Sequence, residues 1–276
     1  MPELPEIETL RQDLEQEVVG RKVKAVEVKA ARIVRRHRNR REFAERLVGR
    51  KVTTVARHGS ALALALDSDE LLVLRLGAHG RLRKERSSAP PERHTDAVVT
   101  LSTGGDLRLL GLGDDGELFV VAKAELEEPA GQLAPVDPLT GAFTWQGFNA
   151  RLLSRHAPLR SLLSDESFIA GIGPLYADEI LWASGLRWDR GSASLSAQEV
   201  RRLYRAIQEV LQEAVRERGT SVGDDPWLDL HGKRGGFQAH LNVHRRDGQP
   251  CRRCRTPLAC QPLDLGATFY CPKCQS

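Results

Sequence analysis

The spacing of apolar positions divides the chain into two regimes. Near the start, Ile7, Leu10, Leu14 and Val18 recur at helical intervals and Gly20 stands where a cap belongs, so residues 6–19 are expected to form an amphipathic helix. The period then drops to two. Short alternating or continuous apolar runs occupy 23–28, 52–55, 61–66, 71–76, 97–101, 107–110 and 118–121, with Gly, Asp and Ser between them. Such runs predict an antiparallel sheet domain that buries its apolar faces against each other, a β-sandwich. Residues 127–143 hold Pro and Gly without any period and read as a linker. From Trp145 the period is helical again, over 148–154, 158–164, 174–184 and 197–218, the last behind Ser196 as its N-cap. The fold class is therefore α+β: a sandwich domain with flanking helices over 1–126, a helical domain over 144–230, and a cysteine-bearing segment over 231–276.

Charge changes the picture through its distribution. The whole chain has 41 basic and 37 acidic residues, too even to argue for a polyanionic partner. Between Arg21 and Arg57, however, 14 Lys/Arg face three acids, and from His231 onward eight face two. Two separated basic stretches are either the footprint of a nucleic-acid binder or two solvated surfaces. The first residues, Met-Pro-Glu-Leu-Pro-Glu, are acidic and prolyl, unlike a secretory or transit peptide, and no apolar run is long enough to span a bilayer. A cytoplasmic monomer is expected, with no membrane partner.

All five cysteines fall in the last 26 residues, which argues against a chain-wide disulfide framework. Cys251-x2-Cys254 and Cys271-x2-Cys274 are two knuckles separated by 16 residues. That spacing suits four thiolates around one Zn2+ in a closed structural site; a redox pair or chance spacing is the alternative. Residues 256–261 and 267–270 are expected to pair as a hairpin around Asp264-Leu-Gly266. Cys260 has no partner at ligand spacing and reads as a small strand residue.

Four segments together carry more. Met1-Pro-Glu-Leu-Pro-Glu-Ile-Glu-Thr9, Ile169-Ala-Gly-Ile-Gly-Pro-Leu-Tyr-Ala-Asp-Glu179, the run Gly219-Thr-Ser221 with Asp224, Gly236-Phe-Gln and Leu241-Asn-Val, and the closing Cys271-Pro-Lys-Cys-Gln275 occur in one order along the chain. In these the chain resembles the formamidopyrimidine-DNA glycosylase/endonuclease VIII family from end to end. The resemblance implies a helix–two-turn–helix element in the helical domain, a zinc-finger hairpin behind it, and base-excision repair of DNA. It implies that Pro2 is the nucleophile, a secondary amine exposed when the initiator Met is removed. An α-amine titrates nearer neutrality than a lysine and can form an iminium with a sugar carbon. Glu3 matches the acid that protonates the sugar ring oxygen. Glu6, one turn along, is placed to orient the amine or relay a proton. Read without the resemblance, Glu3 and Glu6 are first-turn acids that favour a helix dipole.

The chain departs from the family pattern where the family handles DNA. Ser60 stands at the phosphate-binding lysine, Ala78 at the inserted methionine, and Asp114 and Asp115 in the loop that carries arginine and aromatic wedges. Pro174 replaces a phosphate-holding asparagine, Gly266 the zinc-finger arginine, and Glu92 a DNA-contacting histidine. Arg57, Arg155, Arg160 and Arg245 are the candidate DNA contacts that remain. A bifunctional glycosylase/AP lyase acting on damaged bases, abasic sites or single strands is expected. A non-enzymatic damaged-DNA binder and a protein-interaction module are the alternatives.

Overall fold

The computed structural model describes residues 2–90, 92–127, 136–263 and 266–276. Met1, most of the expected linker (128–135), and Asp264 and Leu265 of the expected hairpin turn lie outside the described residues. The chain forms two compact units that do not follow its order. One comprises 1–132 and 218–235, the other 133–217 and 236–276.

The first unit opens with helix α1 (Leu4–Val18), which buries Ile7, Leu10, Leu14 and Val18 as the spacing requires. Strands β1 (Val23–Val28), β6 (Thr95–Leu101), β7 (Asp106–Leu110) and β5 (Arg81–Glu85) make one antiparallel sheet in the order β1-β6-β7-β5. Strands β2 (Val52–His58), β3 (Ala61–Leu66), β4 (Glu70–Arg75) and β8 (Glu117–Ala122) make the other, as β2-β3-β4-β8. Val99 and Leu109 from the first sheet and Leu64, Leu72 and Val120 from the second share one core with α1, which makes the pair a sandwich. Helix α2 (Arg40–Leu47) adds Phe43 and Leu47 to that core.

Strand β5 and helix α2 are among the elements that went unread in the sequence, each for lack of apolar residues. Strand β5 reads Arg-Leu-Arg-Lys-Glu and buries only Leu82. It is an edge strand, where charge deters pairing with other chains, and Lys84 N–H bonds to Leu230 O of the returning segment (2.9 Å). Helix α2 lies in the basic stretch and shows just two buried positions.

A short helix, α3 (Lys123–Glu127), precedes the undescribed segment. The second unit then holds α4 (Trp145–Leu153), α5 (Leu159–Leu163), α6 (Pro174–Ser184) and α7 (Ala197–Arg216). Their starts follow the local chemistry. Thr144 accepts from Gly147 N–H, Pro174 sits where its missing N–H costs nothing, and Ser196 and Glu199 form a reciprocal capping box. Strands β9 (Ala259–Leu263) and β10 (Gly266–Tyr270) form the hairpin, in register Thr268 to Gln261.

Helix α6 anchors that hairpin through two adjacent buried carboxylates. Asp178 accepts from Arg160 Nε (3.3 Å) and Thr268 Oγ1 (2.6 Å) and pairs with His244 Nδ1 (2.8 Å). Glu179 accepts the N–H groups of Asn242, Val243 and His244 at 2.9–3.0 Å. Carboxyl groups this deep are accommodated only where hydrogen-bond partners surround them.

Candidate active site and metal centre

The first candidate site is built on the N-terminus of α1. Glu3 is its N-cap, in extended conformation, and both Glu3 and Glu6 are buried, while Pro2 is half-buried. Glu6 Oε2 accepts the Glu3 N–H at 2.9 Å. Its other oxygen, Oε1, accepts the N–H of Thr220 at 2.7 Å, from a residue 214 positions away. One carboxylate thus fixes the backbone next to Pro2 against the segment that returns to the first unit.

Three features hold that segment. Arg218 Nη2 lies 2.7–2.9 Å from both oxygens of Asp13 on α1 and 2.7 Å from Asp229. Burial opposes ionisation of Asp229, but Arg218 and the Lys233 and His231 N–H groups outweigh it and hold the carboxyl below its ordinary range. Ser221 Oγ donates to Trp227 O and accepts the Gly235 N–H at 2.9 Å. Gly219 adopts φ +81°, and a Cβ there would stand 2.8 Å from Glu6 Oε1. Glycine is needed on both counts. Gly219 and Thr220 join this candidate site although the sequence reading gave them no role; the Gly-Thr-Ser triplet was among the segments that carried the resemblance.

The four thiols form the second candidate site. Sγ atoms of Cys251, Cys254, Cys271 and Cys274 all lie within 4.8 Å of one another, with Cys251 to Cys274 at 3.9 Å and Cys254 to Cys271 at 3.4 Å. Thiolates on a tetrahedron of about 2.3 Å radius stand roughly 3.8 Å apart, so the set can hold one metal ion. Cys260 is exposed on β9, away from this group. Arg253 ties the finger to α6 by donating to Trp182 O (2.8 Å) and Ala183 O (3.1 Å) and by lying 3.8 Å over the Trp182 ring.

The four candidate DNA arginines divide evenly. The Arg57 side chain is buried, its Nε on Glu8 (3.0 Å) and Nη1 on Gly59 O (3.1 Å). Arg160 is also buried, bonded to Asp178 and to Ala267 O (3.1 Å). Arg155 is exposed beside Asp165 (3.1 Å) and Ser167 (3.2 Å), and Arg245 is exposed at φ 55°. Within the basic stretch, Arg36 is likewise engaged, on both oxygens of Glu117 and 3.8 Å from the Phe119 ring.

Two family domain models match the chain: the formamidopyrimidine-DNA glycosylase N-terminal domain over 1–112, and the formamidopyrimidine-DNA glycosylase H2TH domain over 133–225. A formamidopyrimidine-DNA glycosylase of Heliobacterium modesticaldum is 39% identical over 280 residues that span all of both chains. The chain belongs to the formamidopyrimidine-DNA glycosylase family. Its fold agrees with the crystal structure of MutM (Fpg) protein from Thermus thermophilus, at TM-score 0.87 and 35% identity over 99% of this chain and 98% of that one. A complex of the wild-type Lactococcus lactis Fpg with a N7-benzyl-Fapy-dG containing DNA matches at TM-score 0.88 and 25% identity over the whole of both.

The structure also locates the departures from the formamidopyrimidine-DNA glycosylase pattern. Ser60 and Gly59 form the two-residue turn between β2 and β3. Pro174 opens α6, and Gly266 opens β10. Asp115 Oδ2 accepts the Ala78 N–H at 2.6 Å, and a Cβ on Gly77 (φ +70°) would stand 2.7 Å from that carboxyl. Asp115 therefore ties two loops together. Asp114 is fully exposed, 3.6 Å from Arg32 Nε.

Proposed function

We propose that this chain is a bifunctional DNA glycosylase/AP lyase of base-excision repair, acting on damaged or abasic DNA through the Pro2 amine. The observation that carries the reading is the Glu6 bridge, whose two oxygens accept the Glu3 N–H and the Thr220 N–H and so tie the backbone of residue 3 to the returning segment. A nucleophile at a chain end gains most from such fixation, because ordering it beforehand removes an entropic part of the barrier.

In this reading the free Pro2 nitrogen attacks C1′ of the deoxyribose. The bond to the base breaks, the base departs with the electron pair and takes up a proton, and Glu3 protonates the ring oxygen as the sugar opens to an iminium. Loss of a C2′ proton and the 3′-phosphate then nicks the strand. Both Glu6 oxygens accept backbone N–H groups, so Glu6 is assigned to positioning rather than to proton relay. The four-cysteine site is assigned to one structural Zn2+, closed to substrate. It would hold the hairpin in shape, with no part in the bond changes. Among the described residues no helix is long and apolar enough to cross a membrane. A cytoplasmic location is assigned from the DNA on which the enzyme would act.

Reductive trapping tests the reading. Borohydride should fix the protein covalently to an oligonucleotide carrying an abasic site, and a form whose Pro2 nitrogen is blocked by a preceding residue should not be trapped. Equal trapping of the blocked form would move the nucleophile elsewhere. No trapping of the free form would return the chain to the reading as a damaged-DNA binder without chemistry.

A further inference from the structure

Outside the two sites described above, three metal-ligating side chains meet at the end of α7. Glu213 and Glu217 stand one helical turn apart, and His240 reaches them from the end of the short turn Phe237–Ala239. One carboxylate oxygen from each glutamate and one imidazole nitrogen all lie within 4.8 Å of one another. Glu217 Oε1 is 3.8 Å from His240 Nε2, too far for a hydrogen bond. Ligand atoms about 2.1 Å from one ion stand roughly 3–4 Å apart, so that gap suits a shared cation.

The helix gains nothing from these acids by itself. The C-terminal end of α7 carries the negative pole of its dipole, where carboxylates are disfavoured and a cation is stabilised. Two carboxylates this close also repel each other, and Arg216 offsets the charge of Glu213 by pairing with it. The ligand positions are nonetheless held. The His240 ring stacks on Phe237, with centroids 5.9 Å apart and 18° between planes. Gly236 leaves the room that the Glu217 carboxyl occupies, since a Cβ there would stand 2.6 Å from Oε2. Arg252 Nη2 donates to Ala239 O at 3.1 Å and steadies the turn before His240.

We propose that Glu213, Glu217 and His240 form a second metal site, holding one divalent ion of the Mn2+ or Zn2+ class with water in its open positions. One imidazole and two carboxylates suit that class better than Ca2+ or Mg2+, which take oxygen ligands alone. His240 is exposed and both glutamates are partly so. The ion therefore exchanges with solvent and loads only when it is supplied, unlike one closed in by four thiolates. Its consequence is local. Glu217 and Gly236 flank the segment 218–235, and Gly236 N–H bonds to Glu217 O at 2.7 Å. An ion on Glu217 and His240 adds a second closure there, a clip across the two ends of the segment that carries Arg218, Thr220 and Asp229. The assignment does not depend on the DNA-repair reading.

The experiment titrates Mn2+ into the full-length protein carrying one zinc per chain, because thiolates keep zinc and leave Mn2+ to oxygen and imidazole ligands. The electron paramagnetic resonance signal of free Mn2+ should be suppressed until one equivalent is bound. Zn2+ in excess should displace the bound Mn2+, as the order of affinities requires. His240→Ala and Glu217→Gln should each weaken binding about tenfold or more, since losing a ligand costs at least as much as losing a group that orients one. Both variants should retain the zinc of the four cysteines, which shows that they fold. Glu45→Gln removes a 63% exposed carboxylate on α2 and should leave binding unchanged. Hydrogen exchange reads the clip: bound Mn2+ should slow amide exchange across 218–235 in wild type and in neither variant. Binding that never saturates, or wild-type affinity in either variant, overturns the site. Saturable binding with unchanged exchange across 218–235 overturns the clip.

Discussion

At the residue scale the site depends on one carboxylate with two backbone donors. Glutamine at position 6 keeps the shape of that side chain but offers a single acceptor oxygen, so its amide NH2 must face one of the two N–H groups. Glu6→Gln is therefore expected to cost about 1–3 kcal/mol, the range for a buried hydrogen bond to a charged group that is lost, read as a fall in Tm. Cleavage should fall with it, because residue 3 loses its anchor. Glu3→Gln tests a different property. It removes an acid and should lower base release by about 10²–10⁴-fold, the usual yield of general acid catalysis, with Tm little changed. If Glu6→Gln keeps full activity while Tm drops, the bridge is structural only.

Element scale brings in pH and metal. The Arg190 guanidinium, then the Ser196 N–H, pull the Glu199 carboxyl down to about 2 from an ordinary value of 4.5. A depressed acid stabilises the fold above its unfolded value, and that contribution disappears as pH falls from about 4.5 toward 2. Acid unfolding followed by helical circular dichroism should show Glu199→Gln with a flatter stability curve across that window, and a lower plateau at neutral pH. For the finger, metal analysis should return one zinc per chain. Chelation should release the hairpin and shift the Trp182 emission, since Arg253 covers that ring. A protein that keeps its emission and hairpin spectrum after the metal is stripped would show that packing alone holds the hairpin. The small apolar cluster of Trp182, Val243, Cys251, Leu258 and Cys271 makes that unexpected.

How much was legible beforehand differs by element, for physical reasons. Helices α6 and α7 announce themselves by Pro174, Ser196 and their apolar spacing, and the cysteine knuckles by their intervals. Strand β5 does not, because an edge strand with one buried leucine carries no alternation to read. Pro2, Glu3 and Glu6 entered as site candidates through the resemblance. Thr220 did not, because its partner lies 214 residues away and a backbone N–H has no sequence signature. The arginines mislead most. Arg57 looks like a surface cation in the sequence, yet Glu8 draws its side chain inward, and Arg36, though exposed, is held on Glu117; charge counting cannot see either partner.

For the whole molecule the consequence concerns substrate form. Ala78 and Asp115 are bonded to each other and offer no bulk to fill a vacated base stack, so extrusion from intact duplex is poorly compensated, by a few kcal/mol for each unstacked step. Single-stranded or abasic DNA avoids much of that cost. Cleavage should be faster on those forms than on a duplex carrying an oxidised purine, and Ala78→Met should narrow the gap. Equal rates under matched salt would show that another side chain fills the space.

The chain's division into units also governs how it can be taken apart. Because 218–235 belongs with the N-terminal sandwich, no single cut separates the two bodies. A gene fragment ending at residue 132 would encode both sheets yet omit Thr220, Arg218 and the stretch beside β5. Its product would keep the proline and lose what steadies it, with a bare sheet edge open to self-association. Reuniting it with a peptide of residues 218–235, free or fused through a short tether, is the minimal complementation that should restore a monomeric sandwich.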